Sequence, residues 1–143
     1  MENNLINYKE IDIADKYVWI DKVILVAEDI ELNYLYLREL IEPTGAMIIR
    51  AENGKEAVQC CLSNVNIDMV LMDLLMPMMN GYDATREIKK NRKDLPIIAQ
   101  TAYAMSEDRR HAIEAGCDDF ITKPIGREEL LRKMDSFFSS GGK

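Results

Sequence analysis

The feature of this sequence that most restricts its fold is a regular alternation of short apolar runs with segments of helical periodicity. The clearest runs are Val23–Ala27, Met69–Met72 and Pro96–Ala99, and weaker ones occur at Met47–Ile49 and Phe120–Ile121. Unbroken apolar runs of this length are typical of strands buried on both faces. Because a helical pattern follows each run, the sequence predicts βαβ units, which form a parallel sheet with helices on both faces.

Five helical patterns follow the five runs. They cover residues 30–41, 55–63, 82–91, 106–115 and 127–138. Gly116 comes directly after the fourth pattern, where a glycine in the left-handed conformation commonly ends a helix. We therefore predict a doubly wound α/β fold of five strands and five helices.

The predicted elements fit one domain. The chain has 143 residues, a length that suits a single domain with its own core. We assign residues 22–140 to this domain, residues 1–21 to a linker or N-terminal tail, and residues 141–143 to a disordered C-terminal end. Within the tail, Tyr17–Ile20 has apolar side chains suited to packing onto the domain.

Charge and composition argue against several classes of function. The net charge is -7, so we expect no direct binding to nucleic acid. No apolar run reaches the length of a membrane span. The three cysteines form no metal-binding motif. Their odd number, without a signal peptide, predicts a reducing, cytoplasmic location.

Polar residues that can do chemistry follow four of the predicted strands. They are Glu28 and Asp29 after the first strand, Asp73 after the third, Thr101 after the fourth and Lys123 after the fifth. Because the carboxyl ends of parallel strands meet at one edge of the sheet, these groups should converge in one crevice. Closely packed carboxylates repel each other, and a divalent cation relieves that repulsion. A ligand set of oxygens without His or Cys favours Mg²⁺.

The same groups suit phosphoryl transfer. A carboxylate beside Mg²⁺ can attack phosphorus and form an aspartyl phosphate. The transferring group carries negative charge, which Mg²⁺ on one side and the Lys123 ammonium on the other would stabilise. Thr101 would add a hydrogen bond once the phosphoryl group is in place.

Four motifs, in this order, resemble those of one family. They are Ile24–Asp29, Asp73–Gly81, Ala99–Ala102 and Ala115–Phe120, the last followed by Lys123–Pro124. On these residues, the segment from about Lys22 to Phe138 resembles the response-regulator receiver domains of two-component signalling. The resemblance implies a flavodoxin-like receiver fold with strand order 2-1-3-4-5.

The resemblance also implies roles around a metal. Asp73 corresponds to the phosphoacceptor and Asp29 to the direct Mg²⁺ ligand, whereas Glu28 would act on the metal through a water. The backbone carbonyl of Leu75 would complete the ligands that the protein supplies.

Three further residues match positions that pair with the phosphoryl group or transmit its presence. Thr101 corresponds to the switch hydroxyl, Lys123 to the phosphate-pairing cation and Phe120 to the aromatic residue that changes rotamer. Receivers of this type commonly have a cis bond between the matching lysine and proline. We therefore expect a cis Lys123–Pro124 bond, a minority state for such bonds.

In receivers, the residues two positions beyond the phosphoacceptor and the switch threonine flank the approach of the hydrolytic water. Here they are Leu75 and Tyr103, which are bulky and offer no carboxylate or amide to orient that water. We therefore expect slow self-dephosphorylation. For Tyr103, a surface aromatic without a part in this gating is the alternative.

The expected function is that of a phosphoacceptor module, which receives a phosphoryl group from a histidine kinase or a histidine phosphotransfer domain. We expect self-phosphorylation and self-dephosphorylation, and no turnover of an external substrate. A Mg²⁺-dependent aspartyl-phosphate phosphohydrolase is one alternative, but it would carry a second Asp where this chain has Leu75. A receiver-like module that is not phosphorylated is the other, and the complete set of site residues opposes it.

Whether the domain is free-standing or belongs to a hybrid histidine kinase is left open, as is its oligomeric state. The first helix offers a candidate surface for the phosphodonor, since it should bury Ile30, Leu37 and Ile41. Three further apolar side chains lie off that face, namely Leu32, Leu35 and Tyr36. They are either scattered exposed hydrophobic residues or a docking surface for a histidine-bearing helical bundle.

Overall fold

The computed structural model describes residues 16–102 and 106–141, and in them each predicted strand and helix is present. The strands are β1 (Val23–Ala27), β2 (Met47–Ala51), β3 (Met69–Asp73), β4 (Ile97–Thr101) and β5 (Asp119–Thr122). The helices are α1 (Glu31–Ile41), α2 (Gly54–Ser63), α3 (Gly81–Asn91), α4 (Ser106–Ala115) and α5 (Arg127–Gly141), with a 3-10 turn over Glu42–Thr44. Gly116 follows α4 with a left-handed φ of 113°, as predicted.

The sheet is parallel throughout and its strand order is 2-1-3-4-5, which confirms the predicted fold. Strand β3 lies in the centre, and all of its residues are buried. In the register, Ala27 of β1 pairs with Met72, and Asp73 pairs with Gln100 of β4. The carboxyl ends of the three central strands therefore lie side by side at one edge.

Two cores lie on opposite faces of the sheet, because successive side chains of a strand point to opposite faces. One core combines alternate strand residues with α2, α3 and α4, and the other combines the remaining strand residues with α1 and α5. In β3, Met69 and Leu71 belong to the core of α1 and α5. Asp73 follows the same alternation, so its side chain is on the face that α1 and α5 cover.

Helix α1 buries fewer residues than the sequence predicts. Leu37 and Ile41, one turn apart, are buried as predicted. The prediction was wrong for Ile30, whose side chain is 53% exposed. Because the helix begins at Glu31, Ile30 is an extended N-cap residue and its side chain leaves the buried stripe. The apolar residues exposed on α1, as predicted, are Leu32, Leu35 and Tyr36.

The N-terminal segment (residues 16–22) is packed along α5. Tyr17 and Trp19 are buried in the core that α1 and α5 form. The indole N–H of Trp19 donates to Asp135 Oδ1 at 3.3 Å, and its ring lies edge-on to Phe138 with 5.0 Å between the centroids. The backbone N–H of Trp19 donates to the carbonyl of Thr44 at 2.8 Å. The packed part of the chain therefore begins before residue 22.

Helix α5 includes Gly141, a residue that the sequence analysis assigned to the C-terminal end. The helix is amphipathic, with Leu130, Leu131 and Met134 buried against the sheet. Among residues 16–102 and 106–141, no helix is both long enough and apolar enough to cross a membrane.

The loop between β3 and α3 fits tightly against two helix N-termini. A Cβ on Gly54, the first residue of α2, would lie 2.0 Å from the carbonyl oxygen of Met79. A Cβ on Gly81, the first residue of α3, would lie 2.3 Å from the carbonyl oxygen of Asp73. Both positions need glycine because backbone atoms occupy the space of a side chain. The loop that follows Asp73 is thereby held against α2 and α3.

Candidate functional site

Three carboxylates meet at the carboxyl ends of β1 and β3. Glu28 and Asp29 follow β1, and Asp73 ends β3. One carboxylate oxygen of each lies within 4.8 Å of the others. Glu28 is fully buried, Asp73 is buried and Asp29 is partly exposed. The structure thus brings together the three acidic residues that the sequence predicts to converge, and we call this group the acidic site.

Lys123, from the loop after β5, reaches the same carboxylates. Its Nζ lies 3.3 Å from Asp73 Oδ2 and 3.3 Å from Glu28 Oε1. Burial alone would lower the pKa of Lys123, but the carboxylates of Asp73 and Glu28 raise that pKa above its ordinary value. Lys123 therefore remains a cation inside the site. The Lys123–Pro124 bond is cis, as the resemblance predicts.

Glu28 carries the largest electrostatic perturbation in the acidic site. Its burial, reinforced by the negative charge of Asp73, raises the pKa of Glu28 to about 7. The N–H of Ile30 donates to Glu28 Oε2 at 3.2 Å and, like Lys123, favours the ionised carboxylate. These two contacts lower the pKa of Glu28, but by less than burial and Asp73 raise it. At neutral pH the acidic site therefore holds its full negative charge only at a cost in free energy.

The donor chemistry of the acidic site fits a divalent cation. In the part of the chain that the structure describes, the cluster consists of carboxylates and includes no His or Cys. Mg²⁺ prefers oxygen ligands of this kind. A cation there would offset the repulsion and burial that raise the pKa of Glu28. The side chains that would hold it are those of Glu28, Asp29 and Asp73.

Arg50 holds the backbone of the acidic pair, a role that the sequence analysis missed. From β2, its Nε donates to the carbonyl of Glu28 at 3.2 Å and its Nη2 to the carbonyl of Asp29 at 3.2 Å. Its guanidinium also lies over the ring of Tyr34, 5.0 Å from the centroid. The only signal in the sequence is one charged residue at the end of an apolar run. Arg50 is a positioning residue, because it fixes the loop that carries two of the carboxylates.

The two oxygens of Asp73 have different partners. The N–H of Leu75 donates to Asp73 Oδ1 at 3.1 Å, whereas Oδ2 faces Lys123. The side chain of Leu75 is exposed. The loop after β3 is fixed in turn by the N–H of Gly81, which donates to the carbonyl of Leu74 at 3.0 Å. The carboxylate of Asp73 is thus oriented by a backbone donor on one side and an ammonium on the other.

Thr101 and Phe120 lie on the same face of two neighbouring strands. In the register of β4 and β5, Ala99 pairs with Phe120 and Thr101 with Thr122. Because side chains alternate along a strand, Thr101 and Phe120 are diagonal neighbours on one face. Thr101 is buried and Phe120 is half-buried against the core of α2, α3 and α4. Tyr103 lies outside the described residues.

Comparison with known sequences agrees with this geometry. The family model described as "Response regulator receiver domain" matches residues 24–135. The polar-differentiation response regulator DivK of Brucella anthropi is 34% identical over 118 residues, which cover 81% of this chain and 95% of DivK. The sensor protein GacS of Pseudomonas syringae pv. syringae is 38% identical over 114 residues, which cover 76% of this chain and 12% of GacS. The chain therefore spans only a small part of GacS.

Solved receiver-domain structures share the fold. The receiver domain of the sensor histidine kinase PA1611 from Pseudomonas aeruginosa, with a magnesium ion coordinated in its active-site cleft, is 33% identical with a TM-score of 0.77. That match covers 82% of this chain and 98% of the PA1611 domain. The co-crystal structure of the Saccharomyces cerevisiae phosphotransfer protein Ypd1 with the receiver domain of Ssk1 matches at 26% identity and a TM-score of 0.77, over 82% of this chain and 88% of that one. The acidic site, the strand order and these matches together place the chain in the response regulator receiver domain family of two-component signalling.

Proposed function

We propose that this receiver domain accepts a phosphoryl group from a phosphohistidine onto Asp73, with Mg²⁺ held in the acidic site. The observation that carries the proposal is the position of the Asp73 carboxylate at the end of the central strand. It has an oxygen within 4.8 Å of oxygens of Glu28 and Asp29, and Oδ2 is 3.3 Å from Lys123 Nζ. The proposed nucleophile, the oxygens that would bind the metal and the ammonium that would pair with the transferred group are therefore close neighbours, which supports the proposal.

In the proposed transfer, a carboxylate oxygen of Asp73 forms a bond to phosphorus while the bond between phosphorus and the histidine nitrogen breaks. The bonding electron pair stays on that nitrogen, and a proton on the other ring nitrogen lets the imidazole leave as a neutral base. Lys123 pairs with a phosphoryl oxygen, and the Thr101 hydroxyl donates a hydrogen bond to another.

Mg²⁺, when bound, would neutralise charge on the phosphoryl oxygens. Asp29 and Asp73 would bind the metal directly and Glu28 through a water, with the backbone carbonyl of Leu75 as a further ligand. The proximity of the three carboxylates supports this assignment. The magnesium ion in the cleft of the PA1611 receiver domain supports it too.

The test is the chemistry of the modified residue. Incubation with acetyl phosphate and Mg²⁺ is expected to add one phosphoryl group that hydroxylamine removes, and reduction with borohydride should mark Asp73 in peptide mass spectra. EDTA should prevent the labelling. A label on another residue, or one that resists hydroxylamine, would show that Asp73 is not the acceptor.

The proposed readout of phosphorylation couples Thr101 to Phe120. The Thr101 hydroxyl would move toward the phosphoryl group, and the ring of Phe120 would turn into the space that Thr101 leaves. Their diagonal placement on one sheet face supports this coupling. The change would be a shift between two conformations, and its extent would follow from the difference in contact energy between them.

The enzyme alternative has little support at the loop after Asp73. The position at which a phosphohydrolase would need a second carboxylate is Leu75, whose side chain cannot transfer a proton. Leu75 does lie beside the acceptor, because its N–H donates to Asp73 Oδ1. We propose that this exposed apolar side chain, together with Tyr103, slows hydrolysis of the aspartyl phosphate.

The phosphodonor is proposed to be a histidine kinase or a histidine phosphotransfer protein that docks on α1. Leu32 is 77% exposed and Leu35 is 43% exposed on the helix that follows the Glu28–Asp29 loop. The Ypd1–Ssk1 complex is a precedent for pairing of a phosphotransfer protein with a receiver domain. Tyr36 is a poorer probe of docking, since its hydroxyl donates to the carbonyl of Ile125 and supports the fold.

Replacement of Leu32 and Leu35 by Glu is expected to slow phosphoryl transfer from a phosphorylated histidine phosphotransfer protein at least about tenfold, because an apolar contact is lost and charge is buried. Labelling by acetyl phosphate should be unchanged. Val65→Glu is the matched control, since Val65 is also 77% exposed but lies in the loop before β3. Equal loss with both phosphodonors would indicate damage to the acidic site instead of lost docking.

The domain is either a free-standing protein or one part of a hybrid histidine kinase. DivK, of which this chain covers 95%, supports a free-standing receiver. GacS and PA1611, a sensor protein and a sensor histidine kinase, support the receiver end of a hybrid kinase. The sequence that neighbours this domain in its gene would decide between them.

A further inference from the structure

The loop between β5 and α5 (residues 123–126) carries Lys123 into the acidic site. At its start, the N–H of Lys123 donates to the carbonyl of Thr101 in β4 at 2.7 Å. Further along, the carbonyl of Ile125 accepts a hydrogen bond from the hydroxyl of Tyr36 on α1. The loop that places Lys123 is therefore tied to α1 as well as to the sheet.

Packing supports this loop incompletely on the side of α1. A cavity of about 200 Å³ lies between the loop, α1 and strand β4, and its lining residues are Asn33, Tyr36, Leu37, Gln100 and 123–125. At the end of the loop, a Cβ on Gly126 would meet no atom within 4 Å. The hydrogen bond from Tyr36 to Ile125 thus joins two walls of a cavity that side chains do not fill.

The contacts of the Lys123 ammonium are sensitive to the position of the loop. Its Nζ lies 3.3 Å from Asp73 Oδ2 and 3.3 Å from Glu28 Oε1, longer than the roughly 2.7–2.9 Å of a close ammonium–carboxylate hydrogen bond. A displacement of the loop by less than about 1 Å would therefore break one or both contacts. Stabilisation of a transferring group depends on charges that are already in place, so a displacement of this size would also slow the transfer.

We propose that Tyr36 is a positioning residue for Lys123, because its hydroxyl holds the carbonyl of Ile125 and thereby keeps the Lys123 ammonium where a phosphoryl group on Asp73 would lie. This inference rests on the proposed transfer to Asp73. Tyr36 acts through the loop, since the bond that it makes is two residues away from Lys123. Without the hydroxyl, the loop samples more conformations and the ammonium is in place for a smaller fraction of the time. The rate of transfer then falls, while the ligands of the metal stay as they are.

The first measurement compares labelling by acetyl phosphate in Tyr36→Phe and in the parent. So small a phosphodonor makes the result independent of docking on α1. We expect the rate constant at saturating Mg²⁺ to fall about 3- to 10-fold, the effect of one hydrogen bond, and the Mg²⁺ concentration for half-maximal rate to stay within about twofold of the parent's. Tyr82→Phe is the matched control, since it removes the hydroxyl of a half-buried tyrosine on α3, and it should be labelled like the parent.

The variant Lys123→Ala shows whether Tyr36 acts through Lys123. In that background, Tyr36→Phe should slow labelling by less than about twofold, because the group that Tyr36 positions is no longer present. A further loss of about 3- to 10-fold in the Lys123→Ala background would overturn the proposal, because Tyr36 would then act by another route. Labelling of Tyr36→Phe at the rate of the parent would overturn it as well.

¹⁵N relaxation of the unphosphorylated, metal-free protein tests the loop directly. In Tyr36→Phe, the backbone order parameters of Lys123 and Ile125 should fall from about 0.85 toward about 0.6, or relaxation dispersion should appear at both residues. The order parameter of Leu71, in the middle of β3, should stay at the parent's value. Unchanged relaxation at Lys123 and Ile125 would overturn the proposal. A label on a residue other than Asp73 would instead count against the proposed function, and the relaxation data would still decide whether Tyr36 holds the loop.

Discussion

Replacement of Asp29 by Asn is expected to lower labelling by acetyl phosphate on the order of 100-fold, the loss typical when a group that organises transition-state charge is removed. Asp29 supplies one of three carboxylates whose oxygens lie within 4.8 Å of each other. With only Glu28 and Asp73 left, the metal would lose a direct ligand. NMR shifts on titration with Mg²⁺ should therefore require at least about tenfold more metal than in the parent.

The Asp29→Asn substitution should not destabilise the fold. In EDTA, removal of one of three repelling carboxylates should leave the free energy of unfolding unchanged or raise it by up to about 1 kcal/mol. Glu52→Gln is the matched control, because it removes the same charge from an exposed residue just after β2. Strong destabilisation of Asp29→Asn, or labelling as fast as that of Glu52→Gln, would contradict a role for Asp29 in metal binding.

Replacement of Gly54 by Ala is expected to lower the free energy of unfolding by more than about 3 kcal/mol, the range of severe steric substitutions. A Cβ at Gly54 would lie 2.0 Å from the carbonyl oxygen and 2.7 Å from the carbonyl carbon of Met79. Both are backbone atoms, so no side-chain rotation relieves the contact. Either α2 or the loop after Asp73 must move, and unfolding in urea would measure the resulting loss in the free energy of unfolding.

Gly126→Ala serves as the control for this experiment. A Cβ at Gly126 meets nothing within 4 Å, so the substitution should leave stability unchanged or raise it by up to about 1 kcal/mol through a less flexible unfolded chain. A Gly54→Ala variant within about 0.5 kcal/mol of the parent would show that the loop after Asp73 adapts easily. In that case the close contact between Gly54 and the backbone of Met79 would not be what holds the loop after Asp73 in place.

Strand and helix positions were predictable because apolar runs and helical periods are local signals. The meeting of the site residues at one edge of the sheet was predictable as well, because a parallel topology brings the carboxyl ends of the strands together. Glu28, Asp29, Asp73 and Lys123 are adjacent for this reason. The strand order came from the resemblance, because it depends on which strands pair and short apolar runs carry little information about pairing.

The residues that sequence reasoning missed are those whose role depends on a distant partner. Arg50 looks like an ordinary surface residue until the carbonyls of Glu28 and Asp29 are placed beside it. Gln100 reads as part of a motif, and only the structure shows that its side-chain amide is buried without a hydrogen-bond partner among the described residues. Ile30 was misassigned because a periodic pattern does not reveal that a helix starts one residue later.

The way the N-terminal segment lies along α5 determines where a tether would attach. Lys16 Nζ is 2.9 Å from Glu128 near the start of α5, whereas Lys22 Nζ lies 5.3 Å from the ring centroid of Phe138 near its end. The segment therefore runs in the same direction as α5, and residue 16 lies at the end of that helix nearest the Lys123 loop. A group attached ahead of residue 16 starts from the edge of the domain that holds Asp73. Its local concentration at Asp73 would then be set by the length of the tether and not by its concentration in solution.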